Sequence, residues 1–216
     1  MNRQRQLKGL YAITPPHSGE FDTLLGQVAE ALAGGARIIQ YRNKQAGDAR
    51  RKAQAIALRK LCHEQDALLI INDDPALAKA VGADGVHVGK QDGDVATARH
   101  LLGRDAVIGI SCYNQLSLAI AAERAGADYV AFGRFFPSVT KPDAVQAEIP
   151  LLSQAKQILR VPVVAIGGIT PENGGTLIQA GADMLAVING LFGMRDIAAS
   201  CHQFTRLFDT SESIPS

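Results

Sequence analysis

The chain has 216 residues, 47% of them hydrophobic and 20% charged, with 22 Lys and Arg against 21 Asp and Glu. That composition fills one domain, or at most two small ones, and excludes disorder as the main state. A formal charge of +1 leaves no electrostatic footprint for nucleic acid or an anionic membrane. Apolar runs such as 67–71 fall far short of the ~20 residues of a membrane span. The polar opening 1–8 lacks the apolar stretch of a secretory signal. Cys62, Cys112 and Cys201 are too far apart for a disulfide scaffold or a zinc site, so reduced thiols in a cytoplasmic protein are expected. Cys112 lacks the strand–elbow–helix glycines of a nucleophile and reads as a buried structural thiol.

In chain order, short β-type runs alternate with segments of helical spacing. Strands are expected at 9–13, 37–41, 68–71, 85–88, 107–110, 129–132, 161–166 and 184–188. Helices are expected at 21–32, 50–65, 75–81, 95–102, 115–125, 150–159 and 172–180. Every second strand follows a repeated junction: Ala-Gly-Gly-Ala at 33–36, Val-Gly-Ala-Asp at 81–84, and Ala-Gly-Ala-Asp at 125–128 and 180–183. Glycine there lets the chain leave a helix through the left-handed conformation. Strict alternation implies a parallel sheet. An open doubly wound sheet would announce a nucleotide site with a glycine-rich turn after the first strand; this chain has Thr14-Pro15-Pro16-His17 instead. The expected architecture is α/β, a single (β/α)8 TIM barrel over 1–208, with a polar tail at 209–216.

A parallel barrel works at the C-terminal ends of its strands. After the second strand, Gln40, Arg42 and Lys44 share one side and Tyr41 and Asn43 the other. That convergence suits a phosphate or diphosphate, with a solvated loop as the alternative. Strand three ends in Asn72-Asp73-Asp74-Pro75, where Asp74 reads as a helix N-cap. Asp73 and Asp92, at neighbouring strand ends, suit Mg²⁺; Asp92 alternatively caps the helix beginning near Val95. His87 reads as a hydrogen-bonded packing residue, and the other four histidines carry no pattern. Ser111 either donates to a phosphate or caps the next helix. The loop 133–142 reads as a lid over the site. Gly167-Gly168 and the segment from Ile188 through Asn189 to Gly193 suit a phosphate cup, or simply tight turns. The mouth thus offers two anion sites and no evident nucleophile, which fits group transfer with a diphosphate leaving group.

These segments (Gly9 to Thr14, Gln40 to Lys44, Ile71 to Asp73, His87 to Gly89 with Asp92, Gly133 to Lys141, Ala165 to Ile169 and Gly181 to Ile188) resemble the thiamine-phosphate synthase family, in order and over nearly the whole chain. The resemblance implies a Mg²⁺-dependent transferase. It would join 4-amino-2-methyl-5-(diphosphooxymethyl)pyrimidine to a thiazole phosphate, or its carboxylated form, releasing diphosphate and thiamine phosphate. It implies that Gln40, Arg42, Lys44, Asn72, Ser111 and Lys141 hold the pyrimidine diphosphate, with Arg42, Lys44, Ser111 and Lys141 as the catalytic set. Asp73 and Asp92 would hold Mg²⁺. Ser138, Thr140, Gly168, Ile188 and Asn189 would surround the thiazole phosphate. Diphosphate would leave first, and the thiazole nitrogen would capture a pyrimidine carbocation. Lys90, Ser138 and Asn189 depart from the frequent glutamine, threonine and serine of the family. The alternatives are a thiazole tautomerase-like isomerase, needing the cup but not the carboxylate pair, and a silent phosphate-binding paralogue. The expected partners are small-molecule substrates rather than nucleic acid or a membrane, and the sequence leaves a homo-oligomer open.

Overall fold

The computed structural model describes residues 7–16, 20–89, 93–138 and 144–211, with 210 and 211 as backbone only. Eight strands form: β1 (Gly9–Ile13), β2 (Ile38–Tyr41), β3 (Leu68–Asn72), β4 (Gly85–Val88), β5 (Val107–Tyr113), β6 (Tyr129–Phe132), β7 (Val163–Ile166) and β8 (Met184–Val187). All pair in parallel, each with its chain neighbour, and β8 closes back on β1. The helices around them are α1 (Phe21–Ala33), α2 (Asp48–Glu64), α3 (Pro75–Val81), α4 (Val95–Leu102), α5 (Leu116–Arg124), α6 (Pro150–Ile158), α7 (Pro171–Gln179), α8 (Asn189–Phe192) and α9 (Ile197–Ser211). The chain is a (β/α)8 barrel, and no helix among the described residues is long and apolar enough to cross a membrane.

Period-two alternation sorts the strand residues into two cores. Tyr11, Ile13, Ile38, Leu68, Ile70, Val107, Tyr129, Val164 and Met184 pack together inside the barrel. Their neighbours, such as Leu10, Ile39, Leu69, Val86, Ile108, Val130 and Leu185, face the helices. Most element bounds fall within one residue of expectation, and two of the exceptions have local causes. β7 starts at Val163 rather than 161, because Pro162 has no N–H to give a ladder. β5 continues past Ser111 to Tyr113 through a register shift against β6. The helix α9 was not anticipated, although Ile197, Cys201 and Phe204 recur at helical spacing and are all buried. It docks beside Gly34, where a Cβ would lie 2.5 Å from that of Cys201.

The repeated junction has a structural explanation. Gly35, Gly82, Gly126 and Gly181 all have positive φ. The aspartate that follows three of them grips the start of the preceding strand. Asp84 donates its N–H to the carbonyl of Leu69 and accepts the Leu69 N–H on its carboxylate, both at 2.9 Å. Asp128 does the same to Ile108, both at 2.8 Å. Asp183 repeats it on Val163 at 2.8 and 2.7 Å. Each carboxylate also meets a basic side chain from the helix before the preceding strand: His63, Arg99 and Lys156 respectively. Arg37 stands at the fourth position and instead donates to the carbonyls of Leu32 and Ala36.

Candidate active site

The sequence puts polar residues on the inward face of several strands, and the barrel joins them into one buried chain of hydrogen bonds. Gln40 on β2 donates from Nε2 to the hydroxyl of Tyr11 on β1 at 2.7 Å. That hydroxyl lies 2.7 Å from the hydroxyl of Tyr129 on β6, which in turn lies 3.0 Å from Nδ1 of His87 on β4. The His87 Nε2 reaches the Ser111 hydroxyl on β5 at 2.9 Å. The His87 ring stacks on that of Tyr129 with centroids 5.6 Å apart. Burial pushes both phenols well above their ordinary pKa, so they remain neutral hydrogen-bonding groups. His87 is thus hydrogen-bonded at both nitrogens, as its strand position predicts. Ser111 does not cap α5, whose cap position is Gln115.

Above this floor, the turns after β2 and β3 bring the cationic and acidic candidates together. Arg42 is half-buried, and its Nη1 has no hydrogen-bond partner among the described residues. Burial lowers its pKa from the ordinary value, and the charge of Asp73 opposes that shift; the guanidinium stays protonated at neutral pH. Lys44 Nζ sits 2.7 Å from Asp73 Oδ2. Asp73 takes a positive φ of 61° and donates its N–H to the carbonyl of His87 at 2.8 Å. Asn72, the last residue of β3, pairs in register with His87. Gln40, Arg42, Lys44, Asn72, Asp73 and Ser111 therefore gather at one end of the barrel.

Helix α2 braces both turns. On the outward side of β2, the Tyr41 hydroxyl and the Asn43 amide both donate to Gln54 Oε1, at 2.6 and 3.1 Å. The Asn43 Oδ1 accepts the N–H groups of Gln45 and Ala46. One helical turn earlier, Arg51 donates to Asp74 at 2.8 Å. Asp74 caps α3 through the N–H of Leu77 at 2.8 Å, as expected.

On the far side of the mouth, Gly168 has φ +64°, and a Cβ there would lie 2.3 Å from the carbonyl oxygen of Pro137. The glycine turn after β7 thus lies directly against the loop carrying Ser138. Asn173 holds this turn by donating to the Gly168 carbonyl and accepting the Thr170 N–H, at 3.0 and 2.9 Å. The turn after β8 abuts it, since a Cβ on Gly190 would meet the Ile169 carbonyl oxygen at 2.8 Å. Ile188 is half-buried and Asn189 exposed. The stem of the loop after β6 is closed by Arg134, whose N–H bonds the Val145 carbonyl and whose Nε donates to that of Ala144. Thr140, Lys141, Lys90 and Asp92 lie outside the described residues. The α4 cap that Asp92 was a candidate for belongs to Asp94, which accepts the Thr97 N–H at 2.8 Å. No group of three or more His, Cys, Asp or Glu side chains able to hold a metal occurs among the described residues.

Residues 10–191 match the family described as thiamine monophosphate synthase. The chain belongs to that family. A thiamine-phosphate synthase from Nitrosococcus oceani is 52% identical over 94% of this chain and 93% of its own. One from Thioalkalivibrio sulfidiphilus is 50% identical over 94% and 97%. Among solved structures, thiamine phosphate pyrophosphorylase from Pyrococcus furiosus superposes with a TM-score of 0.87 at 34% identity, covering 97% of this chain and 98% of that one. The sequence reading of this family member missed Tyr11, Thr14, Gln54, Tyr129 and Asn173. Alternation along β1 and β6 could have placed the two tyrosines inside, and the Thr170–Asn173 spacing is that of a capping box; Thr14 and Gln54 reveal their partners only in the fold.

Proposed function

We propose that the barrel mouth condenses the pyrimidine diphosphate with a thiazole phosphate, yielding thiamine phosphate and diphosphate. The reading is carried by one observation: Arg42, with a buried Nη1 unpartnered among the described residues, shares the mouth with the Lys44–Asp73 pair. A buried guanidinium nitrogen without a partner is costly unless an anion completes it. In this reading Arg42, Lys44 and Lys141 receive the diphosphate, and Ser111, its hydroxyl held by His87, contacts the same group with Asn72 and Gln40. The carbon–oxygen bond to the diphosphate breaks with its electron pair leaving on oxygen. The thiazole nitrogen then supplies the lone pair for the new carbon–nitrogen bond. No protein nucleophile is required; the side chains orient the reactants and stabilise departing charge. The adjoining turns at Gly168 and Ile188–Asn189, with Ser138 and Thr140, would take the thiazole phosphate.

Asp73 already holds a cation, the ammonium of Lys44, so its hard carboxylate oxygens suit Mg²⁺, with Asp92 as the second ligand. Bound there, the ion would neutralise charge on the diphosphate. The enzyme would act as one catalytic domain on small molecules, in a compartment that keeps its thiols reduced. The test supplies both substrates and follows diphosphate release. Release should require Mg²⁺, stop on chelation, and fall at least about 100-fold in Asp73→Asn, while the circular dichroism spectrum stays parental. Full activity of an Asp73→Asn/Asp92→Asn enzyme at limiting Mg²⁺ would refute the metal assignment. Conversion of the thiazole phosphate alone, without diphosphate release, would refute the transferase.

A further inference from the structure

The β1–β2 ladder ends in an unusual way. Ile13 is in register with Gln40, and the Thr14 N–H continues the pattern by bonding the Gln40 carbonyl at 2.9 Å. In a parallel pair the ladder would go on with the Arg42 N–H bonding the Thr14 carbonyl, and then with the N–H of the residue two beyond Thr14 bonding the carbonyl of Arg42. That residue is Pro16, which has no N–H. The Thr14 hydroxyl fills the gap. Its oxygen accepts the Arg42 N–H at 2.9 Å and donates to the Arg42 carbonyl at 3.2 Å. A hydroxyl is among the few groups that can do both at once. Thr14 is itself fully buried, so no water can replace it. Both main-chain groups of Arg42 are therefore fixed by one side chain from the neighbouring strand, at the point where the ladder stops.

We propose that Thr14 is a positioning residue for Arg42, holding its main chain so that the guanidinium meets the diphosphate in one orientation. This rests on Arg42 being an anion holder, as proposed above. The substrate itself is not touched by Thr14; its effect passes through the Arg42 main chain. The paired prolines make the hydroxyl indispensable there, because the backbone after Thr14 cannot supply the missing donor.

The test measures binding of inorganic pyrophosphate with Mg²⁺ to the full chain by calorimetry, and KM for the thiazole phosphate. Thr14→Val, nearly isosteric, should weaken pyrophosphate about tenfold. Thr14→Ser should stay within about twofold of the parent. Adding Thr14→Val to Arg42→Ala should weaken pyrophosphate no further, and KM for the thiazole phosphate should not move. If Thr14→Val does not fold, Thr14→Ala takes its place with the same expectations. An equal loss in the Arg42→Ala background, or a parallel rise in thiazole phosphate KM, would mean a merely structural role and overturn the proposal. Parental binding by Thr14→Val beside weakened Arg42→Ala overturns it while leaving Arg42 an anion holder. Parental binding by Arg42→Ala overturns both.

Discussion

Cys62, Cys112 and Cys201 are all free and buried, and burial pushes each thiol up to about 12. Only the thiolate attacks an alkylating reagent, and at pH 8 such a thiol is ionised to the extent of roughly one part in ten thousand. Cys112, packed on the helix-facing side of β5 and adjacent to Ser111, is therefore no nucleophile. Iodoacetamide at pH 8 should leave all three unlabelled in the native chain and label all three in urea, as mass spectrometry would read. The same shifts fix the sign of the alkaline response. A thiol raised from 9.0 to about 12 on folding favours the native state fully below pH 9. Above that the unfolded chain loses its proton first, so stability falls as pH climbs towards 12. Tyr41, pushed up to about 12 chiefly by burial, acts in the same direction from about pH 10. Urea midpoints should decline steadily from pH 9 to pH 11; a flat profile would show that these groups are not buried as described.

The Gly-Ala-Asp junction shows what a sequence reveals at the level of elements and what it hides. Its glycines are legible because a helix that stops and a strand that starts leave few conformations between them. The aspartates are not: their partners, Leu69, Ile108 and Val163, lie 15 to 20 residues away, and only the closed ring brings them near. The mouth divides in the same manner. Alternation alone put Gln40, Arg42 and Lys44 on one side of β2, and the Asp74 cap follows from its place before Pro75. Thr14 and Gln54 carry no local pattern, because each works on a neighbouring strand or turn. The three aspartates differ in exposure, and this orders their cost. Asp84 and Asp128 side chains are 3% and 9% exposed, Asp183 30%. Replacing Asp128 by Ala leaves the Ile108 N–H and Arg99 without their shared carboxylate, at a cost of about 3 kcal/mol. Asp84→Ala should cost about as much, and Asp183→Ala about 1 kcal/mol, since water reaches Lys156. Urea unfolding should give that order; an Asp183→Ala chain as damaged as Asp84→Ala would contradict it.

At the scale of the whole barrel, the interior network ties β1, β2, β4, β5 and β6 together through Tyr11, Gln40, His87, Ser111 and Tyr129. It exists because β5 carries no side chain at Gly109. A Cβ there would stand 1.9 Å from the Tyr129 ring, and the ring is fully buried between Tyr11 and His87. Gly109→Ala must therefore displace the tyrosine, and no rotamer inside a packed barrel receives it. The overpacking costs about 1–3 kcal/mol, and the hydroxyl bonds to Tyr11 and His87 are lost besides, for a further ~1–3 kcal/mol. For a chain of this size the melting temperature should drop by about 10 °C. His87, the partner of Ser111, would lose its own contact with Tyr129 at the same time, so turnover should fall in the folded fraction as well. The decisive measurement is the pair. In a Tyr129→Leu background the smaller side chain leaves room, and adding Gly109→Ala should cost much less than it does alone. Equal costs in the two backgrounds would mean that the glycine serves the β5 backbone itself rather than making space for the tyrosine on β6.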